Sequence, residues 1–251
     1  MLPEQQDRLV VVLVRARNPS NIGAVARAMH DLGFSHLRVV NDYPVPFAAA
    51  KSAVDASSVL ASATEPVTLA EALADCTLVL GTTAVGDRTL EHLLYLLPQA
   101  APVVTRALAS PESKVALLFG SEKTGLSNDE LSHCHALVTI PMNQPEPGRH
   151  LSMNLGQAAA VCLYQLATEP SVSTPSPVTP EETPATAADL TRIHSLFTEV
   201  LAESGYTRRH PANSRDHALR RLILRMRLSA SDAPVWTGIL RQLLHALRPT
   251  K

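Results

Sequence analysis

Leu118-Phe-Gly-Ser-Glu-Lys-Thr-Gly-Leu-Ser127 follows the run Lys114–Leu117, and its reading decides the fold. It reads as a buried strand that ends in a tight glycine loop and opens a helix. Gly120 and Gly125 permit positive φ and close backbone approach. Ser127-Asn-Asp-Glu130 has the form of a capping box, with Ser127 as N-cap and Glu130 three residues on. Such a junction presents backbone N–H groups at the carboxyl edge of a sheet, where α/β proteins bind ligands. The loop carries Glu122 yet lacks the Gly-Lys-Ser/Thr ending of a phosphate loop and the GxGxxG of a dinucleotide fold. A purely structural turn with Glu122 facing water remains open at this point.

Strand-like and helix-like segments alternate on both sides of this junction. Leu9–Val14, Leu37–Val40, Thr77–Leu80, Val115–Phe119 and Ala136–Ile140 read as strands. Asn18–Gly33, Phe47–Leu60, Leu69–Ala74, Glu91–Leu97, Val103–Ser110 and Ser152–Ala167 read as helices, with a turn at Asn41-Asp-Tyr-Pro44. This pattern predicts an α/β domain with a mostly parallel sheet covered on both faces. Residues 169–186 are rich in Pro, Ser and Thr and read as an extended linker. Beyond it, Asp189–Ser204, Arg215–Leu228 and Ala233–Leu247 predict a small all-α unit with a thin core of its own. The expected organisation is therefore 1–168, a linker at 169–186 and a helical extension at 187–251.

In a chain of 251 residues with 45% apolar and 4% aromatic residues, the core must be built from Ala, Val and Leu. No apolar run reaches the ~18 residues of a membrane span, and no signal peptide opens the chain. Cys76, Cys134 and Cys162 lie in or beside apolar stretches and read as reduced core thiols, which points to the cytoplasm. His133-Cys134-His135 reads as structural, on a strand edge, with no metal expected. Residues 185–251 hold eleven Lys and Arg against five Asp and Glu, a net +6. Residues 1–184 hold eleven against eighteen, a net −7. An acidic body with a basic extension predicts that the extension meets a polyanion, RNA or DNA before membrane.

Three clusters sit where a strand gives way to a helix. The first is Asn18-Pro-Ser-Asn21-Ile-Gly23-Ala-Val-Ala-Arg27, with Asn21 a plausible cap. The second is the Gly120–Gly125 loop. The third is Ile140-Pro141 followed by Ser152-Met-Asn154-Leu155. Taken singly, the first and third also fit an ordinary capped helix with a solvated Arg27, and a loop with an N-cap at Ser152. In this order and spacing they resemble the SPOUT methyltransferases, specifically the SpoU/TrmH-type RNA 2′-O-ribose methyltransferases. That family pairs Asn, Gly two on and Arg six on; then Phe-Gly-x-Glu-x-x-Gly-Leu; then Ile-Pro and a later Ser-Leu-Asn-Leu. Met153 stands for the usual leucine, and Met142–His150 is a few residues longer than the usual loop. The C-terminal unit, with its Arg-rich helix and Gly238-Ile-Leu-Arg241, looks like the TrmJ branch of tRNA methyltransferases.

The resemblance implies a parallel sheet tied into a C-terminal trefoil knot, a feature that composition could not suggest. It implies S-adenosyl-L-methionine as cofactor, held by Thr82, Thr83, Ala84, Gly120, Ile140, Leu151, Ser152 and Met153. It also implies a homodimer with each site near the interface, and Arg27 at the ribose hydroxyl with Asn21, Glu122, Asn154 and Ser152 around it. The basic residues Arg208, Arg209, Arg220, Arg221, Arg225 and Arg227 are then expected to contact RNA. The activity implied is 2′-O-methylation of tRNA, with the anticodon loop as target. Another structured RNA such as rRNA, or a non-catalytic RNA-binding protein on this fold, are the alternatives. A Rossmann-type enzyme lacks its glycine fingerprint near the first strand.

Overall fold

The structure is a computed structural model that describes residues 1–41, 57–84, 92–143, 152–169 and 183–248. Its elements run α1 (Pro3–Gln6), β1 (Leu9–Val14), α2 (Pro19–Asp31), β2 (His36–Val40), α3 (Ser57–Ser62), α4 (Leu69–Leu73), β3 (Leu78–Thr82), β4 (Leu94–Leu96), α5 (Leu97–Ala107), β5 (Val115–Phe119), α6 (Asn128–Ser132), β6 (Ala136–Thr139) and α7 (Leu155–Thr168). The C-terminal helices are α8 (Ala187–Glu203), α9 (Tyr206–Arg209), α10 (Asp216–Arg225) and α11 (Asp232–Leu247).

The strands form one sheet in the order β2-β1-β5-β3-β6-β4, and each described pairing is parallel. Parallel strands are buried on both faces, which is why Leu9–Val14 and Val115–Phe119 read as unbroken apolar runs. Strand alternation divides them. Leu9, Val11 and Leu13 join Leu117 and Phe119 beneath α2, α5 and α7. Val10, Val12 and Val14 join Ala116 and Leu118 in a second core with Leu73 and Leu131 of α4 and α6. Cys76, Cys134 and Cys162 are buried free thiols, and burial pushes those of Cys76 and Cys162 up to about 12.

Several expectations change. The segment read as the helix Glu91–Leu97 contains β4, which pairs with β6 at the sheet edge, and the helix begins at Leu97 with Pro98 in its first turn. A short leucine-rich run carries no decisive period, and proline in the first helical turn marks the start. Glu91 lies outside the described residues, as do residues 47–56 of the helix read over Phe47–Leu60, residues 42–44 of the turn, and most of the long loop (144–150). The threading of 85–91 and 144–151, on which the expected knot turns, also lies outside them. His133 ends α6 rather than sitting in a strand. The ring of His135 accepts a hydrogen bond from the Val79 amide at 3.1 Å.

The last residues of the expected linker are bonded to the rest of the chain. Of its residues, 170–182 lie outside the described set, but Ala185 donates to the Leu228 carbonyl at 2.9 Å. Thr186 caps α8. Ala187 and Ala188 donate to the carbonyls of Cys76 and Ala74, so the entry to the helical unit is bonded to the sheet domain. The unit has its own core of Leu190, Ile193, Leu219, Ile223 and Leu240. Arg220, read as an RNA contact, is spent on this junction. It donates to Ser132 Oγ at 2.8 Å and His133 Nε2 at 2.9 Å, and pairs with Asp216 at 2.7 Å and Asp129 at 3.5 Å.

Candidate active site

A cleft of about 590 Å³ opens at the carboxyl ends of β3, β5 and β6, with the start of α7 on its far side. Thr82, Thr83 and Ala84 continue β3, Gly120 to Leu126 continue β5, and Ile140 and Met142 follow β6. Ser152, Met153 and Leu155 come from the α7 side. Thr82 Oγ1 donates to the Leu118 carbonyl at 2.8 Å and the Thr83 amide donates to Val138 at 3.0 Å. The β3 ending is thereby held against both neighbouring strands.

The two loop glycines serve different ends. Gly125 takes φ +65°, the left-handed conformation that disfavours a side chain. Gly120 is needed for space: a Cβ there would lie 2.2 Å from the Gly125 carbonyl carbon and 2.3 Å from Leu126 N. The Gly125 amide closes the turn on Ser121 O at 2.8 Å, so the loop returns tightly upon its own strand. Ser127 and Glu130 form the expected capping box of α6.

Glu122 does not face water alone. Its Oε1 accepts from Asn18 N at 3.1 Å and Asn21 Nδ2 at 3.0 Å, and its Oε2 accepts from Arg17 N at 3.1 Å. Asn21 Oδ1 in turn accepts from Asn154 Nδ2 at 3.0 Å, while Asn154 Oδ1 accepts from Gly156 N at 2.9 Å. Burial by itself raises the Glu122 pKa. The bonds from the Asn21 side chain and from backbone N–H groups outweigh it and hold the carboxyl below its ordinary value. Asn18 and Asn154 are the N-caps of α2 and α7, correcting the expected caps at Asn21 and Ser152. Asn21 is released for the relay because Asn18, three residues earlier, has taken the capping bond to Ser20 N at 2.9 Å.

All three sequence clusters are therefore joined by one hydrogen-bonded chain, Glu122–Asn21–Asn154, at the mouth of the cleft. Residues 8–164 match the SpoU rRNA Methylase family. The chain belongs to that family. A tRNA (cytidine/uridine-2′-O-)-methyltransferase TrmJ of Sodalis glossinidius is 35% identical over 242 residues, covering 95% of this chain and 92% of the relative. The Yersinia pestis TrmJ is 37% identical over 239 residues, covering 93% and 90%. The crystal structure of TrmJ from Z. mobilis ZM4 superposes with a TM-score of 0.78 at 29% identity, covering 93% of this chain and 98% of that one. That superposition takes in the α/β sheet and the C-terminal helices alike.

Of the expected cofactor contacts, Thr82, Thr83, Ala84, Gly120, Ile140, Ser152 and Met153 line the cleft, and Leu151 lies outside the described residues. Asn21 and Asn154 border it through the relay. Arg27 does not line it: it sits on the exposed face of α2. No group of three or more His, Cys, Asp or Glu among the described residues could hold a metal ion, and no helix there is long and apolar enough to cross a membrane.

Arg15 escaped the sequence reading. It has φ +54°, and its guanidinium forks onto Glu130 at 2.6 and 2.9 Å while reaching the Gly125 carbonyl at 3.2 Å. Glu130 thus both caps α6 and anchors the arginine that holds the loop. Burial raises its pKa and the Arg15 bond with the Ser127 bonds more than offsets this. Nothing local in the sequence marks Arg15, since its partner lies 115 residues away.

Proposed function

We propose that this SpoU-family protein is a methyltransferase that transfers a methyl group from S-adenosylmethionine to a ribose 2′-hydroxyl of tRNA, at a cytidine or uridine of the anticodon loop. The observation that carries this reading is the Glu122–Asn21–Asn154 relay around the cleft, together with the TrmJ relatives that span almost the whole chain. The cleft fits the cofactor. Leu126, Ile140, Met153 and Leu155 offer apolar faces for adenine, and the glycine loop brings backbone polar groups to its edge.

The cofactor supplies a methyl already activated by positive sulfur, so the chain's task is alignment. Glu122 is saturated by three donors and held below its usual pKa, which makes it a poor proton acceptor and a good anchor. It fixes the β1–α2 turn against the β5 loop. Asn21 and Asn154 carry that alignment to the start of α7, beside Ser152 and Met153. All three are positioning residues.

Arg27 orients the RNA hydroxyl or phosphate with its planar guanidinium fork. Its distance from the cleft of its own subunit is understood if the protein is a homodimer. The exposed side of α7 bears Val161 and Tyr164, and α7 packs on α2 where Gly156 meets Ala24. That shared apolar surface supports a subunit interface carrying Arg27. Residues 1–168 hold the cofactor, the helical extension adds RNA affinity through Arg208, Arg209, Arg221, Arg225 and Arg227, and the protein works in the cytoplasm without a metal.

Mass-spectrometric mapping of nucleosides in tRNA incubated with the protein and S-adenosylmethionine tests the reading. A new 2′-O-methylated pyrimidine is the expected result. Methylation of rRNA alone, or of no RNA, overturns it.

A further inference from the structure

A second cleft, about 970 Å³ and larger than the cofactor cleft, lies between the β4 edge of the sheet and the C-terminal helices. We infer that it receives an unpaired RNA nucleotide with its flanking phosphates, so that substrate bridges the two parts of the chain. The inference rests on RNA as the substrate and adds where on the protein a second segment of that RNA is held.

The basic stripe of α10 does not act as one patch. Leu219 and Ile223 face the core of the helical unit. Arg220 faces α6 and is consumed by Asp129, Ser132, His133 and Asp216. Arg221, Leu224 and Arg225 turn toward the cleft, as the 100° step between successive residues requires. Arg227, just past the helix end at φ +51°, joins them. The opposite wall belongs to the sheet domain and adds Arg106 of α5 with Leu93 and Tyr95 of the β4 edge. Four arginines from two regions thus line one cleft. Among its described residues the only acid is Asp232, whose carboxylate accepts from Ser229 N at 2.9 Å.

The chemistry of the walls selects the ligand. Arginine forks match phosphate oxygens, and tyrosine and leucine faces accept a base that is out of its stack. Leu93 is 54% exposed, an apolar group of the cleft wall left open to solvent. The volume is at the top of the small-ligand range of about 300–1,000 Å³, enough for an unstacked nucleotide and too small for a duplex. A free nucleotide offers the same chemistry, and the test separates the two sources.

The full-length protein is titrated into a short labelled single-stranded RNA, the same sequence as a duplex, and tRNA, at several salt concentrations. S-adenosylmethionine affinity and thermal midpoint are followed in parallel. The tail pair R225E/R227E and the body variants R106E and L93E are each expected to weaken single-strand and tRNA binding at least tenfold. Each lost phosphate contact should make the log–log salt slope shallower by roughly 0.7. Cofactor affinity and thermal midpoint should be unchanged. If R106E and L93E bind RNA normally while the tail pair does not, RNA lies on the outer face of the helices and the inference fails. Competition by UMP as effective as that by the oligonucleotide overturns the RNA assignment in favour of a nucleotide pocket. If the wild-type protein binds RNA in this cleft but methylates none, the cleft stands and the proposed activity falls.

Discussion

Replacing Gly120 by alanine adds a single methyl group, and the geometry allows its effect to be worked out. The new Cβ would stand 2.2 Å from the Gly125 carbonyl carbon, 2.3 Å from Leu126 N and 2.5 Å from Gly125 O. Ordinary contact begins at 3.4 Å, so backbone must yield by about 1.2 Å. The obstacle cannot rotate away as a side chain would. Leu126 is buried, Gly125 N is bonded to Ser121 O, and Gly125 O is held by Arg15. Overpacking of this kind costs about 1–3 kcal/mol, and a backbone obstacle puts it toward the upper part of that range. The thermal midpoint should fall by about 4–12 °C at roughly 2–4 °C per kcal/mol for a chain of this size. The displaced loop lines the cofactor cleft, and a 1 Å misplacement can cost about 100-fold in function. Calorimetric titration with S-adenosylmethionine should therefore show affinity lowered by one to two orders of magnitude. Gly125→Ala is the matched control: its Cβ meets nothing within 4 Å, and only the +65° φ opposes it, at a cost of about 1–2 kcal/mol. If Gly120→Ala binds the cofactor as well as wild type, or if Gly125→Ala is the worse of the two, the account of this loop is refuted.

Glu122→Gln removes the charge that gathers three N–H donors, and turnover should fall about 100-fold through misalignment while cofactor affinity changes little; equal turnover in single-turnover assays would show that the relay is ornamental. Arg27→Ala should keep cofactor affinity and lose most turnover, with Arg27→Lys a poor substitute for the planar fork; steady-state kinetics near wild type would remove Arg27 from the reaction. Arg220→Ala should destabilise the junction by about 1–2 kcal/mol, the half-buried guanidinium placing it between exposed and buried pairs, and calorimetric unfolding that does not change would contradict the docking role. His133 accepts from Arg220, and burial first, with the Arg220 charge second, lowers its pKa from 6.5 to about 4. The unfolded chain therefore binds the proton first. The stability from neutral His133 is complete above pH 6.5 and lost as pH falls toward 4, at most about 3 kcal/mol. Acid titration of the thermal midpoint should show that loss, and His133→Gln should flatten it.

Much of this protein is written in local pattern. The apolar run Leu9–Val14, the step from Val115–Phe119 into a glycine loop, and Ser127 with Glu130 each name their own structure. Burial on both faces of a parallel strand needs an uninterrupted apolar run, and a capping box closes within four residues, so both survive in one dimension. The three clusters around Asn21, Glu122 and Asn154 were legible as a set through their order along the chain. Their roles were not. Which asparagine caps and which reaches across the cleft depends on partners 101 and 133 residues away, and only the sheet order brings β1, β5 and α7 together. The same holds for Arg15, whose carboxylate partner is remote. It holds for β4 too, a three-residue strand that exists because β6 offers an edge. Within the basic stripe, sequence records only charge and spacing. The packing of α10 between two neighbours turned Arg220 into a joint and left Arg221, Arg225 and Arg227 facing a cleft. Hydrogen bonds and ion pairs between distant residues are decided by where the backbone has been carried, and that is a property of the folded chain.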